Sequence, residues 1–226
     1  MKANTIYNSP DINVVGAYIE RPTPGGNSIL ESEFLIVNEP RERRVLKSRQ
    51  LKTRKGKPAG TEHYWGTITT HEWGLPTKKL MTGRSPEEGV IALARDETNC
   101  LVDVIGQVGA DYDYPGTDGD LLRRGNYHAR ISDNDRGNHR PKQNLNDIRW
   151  VKPSYFEDQA RIIQDRLGRT RQAPSSERDM DAIFLDYRHL TEINLFLDYL
   201  MERAVKEQED RQPVDSFTVL EELTNA

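Results

Sequence analysis

The residues of this chain best suited to chemistry lie in one acidic run, Asp111-Tyr112-Asp113-Tyr114-Pro115-Gly116-Thr117-Asp118-Gly119-Asp120. Asp111, Asp113, Asp118 and Asp120 occupy positions 1, 3, 8 and 10 of it, with glycine at position 6. Alternate residues of a loop turn their oxygens inward and glycine permits the sharp bend. Four carboxylates so spaced could therefore wrap a hard divalent cation, Mg²⁺ or Ca²⁺. An EF-hand would place an acid or amide at position 5 and Glu at 12, where this chain has Pro115 and Leu122. A paired Asp-x-Asp after an apolar strand also suits metal-assisted phosphoryl chemistry, because two carboxylates can hold the cation against phosphate oxygens. The competing reading is a Gly/Asp-rich surface turn that binds nothing.

Histidines offer less. His128 and His139 lie in a second polar stretch, where either could serve such a site as a general base. Its Asn134 to Pro141 segment is equally suited to contact phosphate or a protein partner. His63 and His71 are eight residues apart, so on one straight strand they would stand ~27 Å apart and could not share a metal. Next to Tyr64, Trp65 and Trp73 they read as half-buried packing. No Walker A loop, dinucleotide glycine fingerprint, Gly-x-Ser-x-Gly elbow or His-Glu-x-x-His occurs, which counts against the commonest nucleotide enzymes and hydrolases.

Charge is segregated along the chain. The net charge is −4, yet nine basic residues and one acid lie between Arg41 and Lys57. A second basic segment runs from Arg123 to Lys152, and the stretch from Glu177 to Glu222 is strongly acidic. Arg44, Lys47, Arg49, Lys52, Arg54, Lys55 and Lys57 could contact phosphates, while Tyr64 and Trp65 could stack on bases. The function expected from these features is a nucleic-acid-binding or assembly subunit of a larger complex. The alternative is a divalent-metal-dependent phosphodiester hydrolase built on the acidic run. A structural particle component without nucleic-acid contact is the third reading. Partners are expected to be nucleic acid and other protein chains or further copies of this one.

These residues need elements to position them. Ile12 to Glu20, Ile29 to Val37 and Tyr64 to Thr70 are β-branched and aromatic and read as strands. Arg44 to Thr53 could pair with Tyr64 to Thr70 as a hairpin across Lys55-Gly56-Lys57-Pro58-Ala59-Gly60. Ser85-Pro86-Glu87-Glu88 is a capping box with proline at the first helical position, so a short helix follows over Val90 to Arg95. Leu101 to Val108 reads as a buried strand, whereas Gly109 to Pro153 has almost no periodicity. After Pro153, Ser154 to Leu167 and Ser176 to Val205 carry apolar stripes at helical spacing, with Phe184 on the second, and Ser216 to Leu223 could add a helical end.

The fold class expected is α+β, divided into a β-rich antiparallel N-terminal domain over residues 1–108, an irregular polar loop over 109–153, and a helical region over 154–226. A 35% hydrophobic fraction allows only a modest core. The lone Cys100 excludes an intrachain disulfide and a cysteine-based zinc site, and its apolar neighbours predict a buried, inert thiol. With no apolar leader and no membrane-length run, a soluble cytoplasmic protein is expected.

Overall fold

The computed structural model describes residues 12–115, 121–142, 145–169 and 187–211. An eight-stranded mixed sheet organises them, with strand order β3-β2-β1-β7-β5. Its strands are β1 (Val14–Arg21), β2 (Glu33–Lys52), β3 (Pro58–Gly74), β4 (Thr77–Lys79), β5 (Val102–Gln107), β6 (Tyr112–Pro115), β7 (Leu121–Ile131) and β8 (Asp147–Val151). The helices are α1 (Pro86–Leu93), α2 (Pro153–Arg169) and α3 (Tyr187–Glu209). This is the α+β class that the sequence predicts, with strands dominating the N-terminal part and helices the C-terminal part.

Both faces of the central strands are covered, which is why β1 and the start of β2 read as near-continuous apolar runs. Val15, Ala17, Ile19 and Leu35 point to one face, where α1 supplies Val90 and Leu93 and β7 supplies Tyr127 and Ala129. Tyr18, Phe34 and Ile36 point to the other, against Phe156 and Ile163 of α2 and Ile193, Phe196 and Leu200 of α3. The two C-terminal helices thus form one layer and α1 the opposite one. The expected helix from Ser176 is described only from Tyr187 onward. Phe184 and the Ser216 to Leu223 segment lie outside the described residues.

The strands within residues 12–108 pair with one another antiparallel, as expected, and β1 also runs parallel to the later strand β7 from Val14↔Arg124 to Glu20↔Arg130. One expectation changes: the region after Val108 is not an irregular loop, because it carries β6, β7 and β8. In β7 the apolar Tyr127, Ala129 and Ile131 alternate with polar residues, but Arg124, Asn126 and His128 on its other face are buried too, and a run so rich in charge and amides reads as surface loop.

The basic hairpin forms as expected. β2 and β3 pair from Val37↔Gly74 to Lys52↔Pro58 as a long two-stranded ribbon. The α1 cap also forms: Glu88 N donates to Ser85 Oγ (3.2 Å) while Ser85 N donates to Glu88 Oε2 (3.0 Å). Ser85→Ala is expected to cost about 1 kcal/mol in chemical denaturation. A loss below ~0.3 kcal/mol would show that tertiary packing alone holds the start of α1.

Candidate functional site

After its first two turns α1 widens into a single π turn, Ala94–Thr98, which ends at Asn99 in the left-handed conformation (φ 60°). Such an insertion rotates the following side chains relative to a regular helix. Here it brings Glu97 inward, only 9% exposed. Its Oε2 is buried and has no hydrogen-bond partner. Burial, then the nearby charge of Glu39, pushes the Glu97 carboxyl up to about 7; Asp96 adds to the rise and Lys78 opposes it. An acid so held exchanges its proton near neutral pH, as a general acid or base must.

Cationic side chains lie on the residues flanking this carboxyl. Lys78 Nζ, carried on the short strand β4, donates to Asp96 Oδ2 (3.2 Å) and Arg95 Nε donates to Asp96 Oδ1 (3.1 Å). Against the upward pull of burial, these two bonds hold Asp96 below its ordinary value. Lys142 Nζ donates to Asn99 Oδ1 (2.5 Å), and Lys142 N donates to the Glu97 carbonyl (2.8 Å). Arg95 is more than half exposed, so it is the cation of the group most open to an anionic ligand.

A second polar cluster locks α3 to the sheet. Parallel register sets His128 beside Tyr18 and Arg130 beside Glu20. Glu20 Oε2 accepts from Arg130 Nε (2.7 Å) and faces His128 Nε2 (3.0 Å), while Oε1 accepts from Ser32 Oγ (2.7 Å). His128 Nδ1 meets the Tyr199 hydroxyl (2.9 Å). Nearby, Glu192 Oε1 receives Tyr112 OH (2.6 Å) and Arg124 Nη1 (2.8 Å), and its carbonyl receives Tyr18 OH (2.8 Å). These bonds join β1, β6 and β7 to α3, so the cluster fastens the helix layer. Burial alone would raise Glu20, but hydrogen bonds from His128, Arg130 and Ser32 overcome it and hold the carboxyl at about 2. Since this folded value lies below the unfolded one, its stabilisation is present above pH 4.5 and lost as pH falls toward 2. Acid titration followed by near-UV circular dichroism should therefore show tertiary signal disappearing in that window, and a flat signal to pH 2 would contradict the pairing.

The residues expected from sequence are not brought together as a metal site. Asp111 accepts from Gln107 Nε2 (2.7 Å) and Arg123 Nε (3.5 Å), and Asp113 faces the same guanidinium at 3.8 Å. Arg123 thus supplies the positive charge expected of a cation. Asp118 and Asp120 lie outside the described residues. Among the described residues, no group of three or more His, Cys, Asp and Glu side chains is placed to hold a metal ion. His139 Nε2 bonds Asp135 Oδ1 (2.7 Å), which also accepts from Gly137 N (2.7 Å), closing a turn. Cys100 is fully buried, its thiol pushed up to about 11 by that burial, as an inert cysteine should be.

The basic residues lie on the ribbon and its turn. Arg44 pairs with Thr67 and Lys47 with Tyr64. Lys47 Nζ donates to the Thr67 carbonyl (3.1 Å), and Arg49 is spent on Glu62 (2.6 Å). Lys52 ends β2, and Arg54, Lys55 and Lys57 are exposed at the turn. Tyr64 and Trp65 are successive strand residues, so they project to opposite faces and cannot form one stacking platform.

No family model matches the chain, and no curated protein matches its sequence. Among solved structures, an Ap4A hydrolase from C. elegans is 12% identical over 85% of this chain and 99% of its own, with a TM-score of 0.46. A Nudix hydrolase from Nitrosomonas europaea is 14% identical over 86% and 92% of the two chains, TM-score 0.46. The Nudix domain of NrtR from Shewanella oneidensis, complexed with ADP-ribose, is 14% identical over 88% and 90%, TM-score 0.41. The expectation of a nucleic-acid-binding complex subunit is corrected accordingly: the structural neighbours are Nudix hydrolases and a Nudix domain. At these scores the likeness is one of fold outline, and chemistry has to come from the chain's own side chains. No described helix is long and apolar enough to cross a membrane.

Proposed function

We propose that the chain is a hydrolase of phosphoric ester or anhydride bonds, with Glu97 as its proton-transfer group. One observation carries the reading: a buried carboxyl with an unpartnered oxygen, held at about 7 by burial and the neighbouring acids Glu39 and Asp96. Above that value the ionised carboxylate takes a proton from water, and the water oxygen attacks phosphorus. Arg95 and Lys142 offer the positive charge that phosphate oxygens require. Once the leaving oxygen departs, the protonated Glu97 can return its proton. The neutral-range value serves both halves of that exchange.

A divalent cation, expected from the acidic run and used by Nudix hydrolases, does not fit these residues. Both oxygens of Asp96 are already bonded to cations, and no three-ligand set exists among the described side chains.

Hydrolysis is best measured on bis(p-nitrophenyl) phosphate and a panel of nucleoside-diphosphate-linked compounds. Glu97→Gln should lower kcat about 10²–10⁴-fold, the range for loss of a general base. The wild-type rate should rise with pH through about 7, as the carboxylate forms. Full activity in Glu97→Gln would remove the hydrolase reading from this site.

A further inference from the structure

β2 and β3 outrun the rest of the sheet. The pairing of β2 with β8 ends at Asn38↔Asp147, while β2 and β3 continue together from Pro40↔His71 to Lys52↔Pro58. At ~3.3 Å per residue that is an arm ~40 Å long. A two-stranded ribbon is marginal in water by itself, so an arm of this length gains from a surface to lie on. Midway along it, Leu46 and Trp65 stand opposite each other across the strands, 58% and 63% exposed. Opposed residues of an antiparallel pair project to one side, so these two form a single apolar step. Beyond it the turn carries Arg54, Lys55 and Lys57, all exposed. An arm that is apolar at its middle and basic at its tip complements a surface that is apolar and acidic.

α3 has such a surface. Ile193, Phe196 and Leu200 face the sheet. Asp198, Met201, Glu202, Val205 and Glu209 recur at three- and four-residue spacing on the opposite side, and all are exposed. Met201 and Val205 are each at least half exposed. The stripe is ~17 Å long at 1.5 Å per residue, and the outer half of the arm, ~20 Å, covers it. The arm does not reach the α3 of its own chain. Glu207 Oε2 accepts from Ile29 N (3.0 Å), just ahead of β2, so the acidic end of the helix lies where that strand begins. The arm leaves from the strand's other end, with Leu46 about 40 Å further on. Two arms laid on each other would repel, because nine residues between Arg41 and Lys57 are basic and one is acidic.

We propose that the chain forms a two-fold dimer by exchange of arms: Leu46 and Trp65 of each copy seat on Met201 and Val205 of the other, with Lys55 and Lys57 beside Glu202 and Glu209. The contact is made twice, once in each direction, so the assembly closes with two copies. The apolar step supplies the affinity, while the charges around it set the register. Each contact is small, so a dissociation constant on the order of 10 µM is expected. Unfolding followed at ~1 µM therefore reads the separate copies.

Dimerisation is independent of the hydrolase reading, and its measurement needs no substrate. Sedimentation equilibrium of the full chain, over about two decades of concentration around that constant, reads it directly. Wild type should dimerise, and more weakly at ~0.5 M NaCl than at ~0.05 M, since exposed charges are screened. Trp65→Ser should weaken the dimer about 100-fold or more, because the two-fold removes the ring from both contacts. Glu202→Lys/Glu209→Lys should weaken it about tenfold or more, and so should Lys55→Glu/Lys57→Glu. Placing both pairs in one chain should restore association, as should mixing the two charge variants. The charge exchange leaves Trp65 in place, so it decides the matter if Trp65→Ser disturbs the ribbon. A wild-type chain that stays monomeric throughout would overturn the proposal. So would a dimer that both charge pairs leave intact, or one whose association the exchange of charges does not restore.

Discussion

Glu97→Gln is expected to stabilise the folded protein by about 3 kcal/mol at pH 8 and to leave its stability nearly unchanged at pH 4. In the folded chain this carboxyl holds its proton up to about 7, against an ordinary value of 4.5. The unfolded state therefore loses the proton first as pH rises. Below 4.5 both states are protonated and the site carries no penalty. Between 4.5 and 7 the penalty grows, and above 7 it is complete, because the folded state must then ionise a buried acid beside Glu39 and Asp96. Glutamine keeps the shape and never ionises, so the penalty vanishes. Urea denaturation at the two pH values measures this directly. A variant less stable than wild type at pH 8 would mean that the carboxylate is satisfied after all. The same substitution is the one expected to slow hydrolysis, so stability should rise where activity falls, as is common where a site keeps a group in an unfavourable state.

Phe196→Ala should cost about 3–5 kcal/mol, a large share of the stability of a domain this size. Phe196 is fully buried at the meeting of three elements. Its ring stacks on Tyr18 of β1 (3.9 Å between centroids, 8° between planes) and meets Phe34 of β2 and Phe156 of α2 edge-on at 4.8 and 5.1 Å. Truncation removes those contacts and leaves a cavity that neither the sheet nor α2 can close by a simple rotamer change. Met201→Ala on the same helix is the control: its side chain is 58% exposed, and a change within about 0.5 kcal/mol is expected. Equal losses in the two variants would show that α3 packs through a different face.

What the sequence reveals follows the range of the interactions involved. The α1 cap was legible because Ser85, Pro86 and Glu88 make it among themselves. β1 was legible because both of its faces are apolar. β7 was not, because beside Tyr127 and Ala129 it also buries Arg124, Asn126 and His128, and groups that pair with Arg124 and His128 belong to α3 and β1, on either side of it in the sequence. Glu97 carries no local signal either. It stands in an ordinary Arg-Asp-Glu-Thr stretch, and only a π turn and the distant charge of Glu39 make it unusual. The acidic run drew attention by composition, yet Arg123, twelve residues after Asp111, already occupies its described carboxylates. Divalent cations and internal guanidinium groups leave the same mark on a list of acids.

The parallel pairing of β1 with β7 also governs how the molecule can be made. Tyr18 and Ile19 find their ladder partners in β7, and Glu20 bonds a residue 110 positions later. Loops of that length close late, and sheets built on distant pairings assemble slowly. On the ribosome, every stage of synthesis before about residue 131 leaves one of the most apolar strands of the chain with open backbone groups along that edge. The nascent chain is then at its most adhesive, and a chaperone that shields Val14 to Ile19 during this interval would raise the yield of folded protein without touching its final stability.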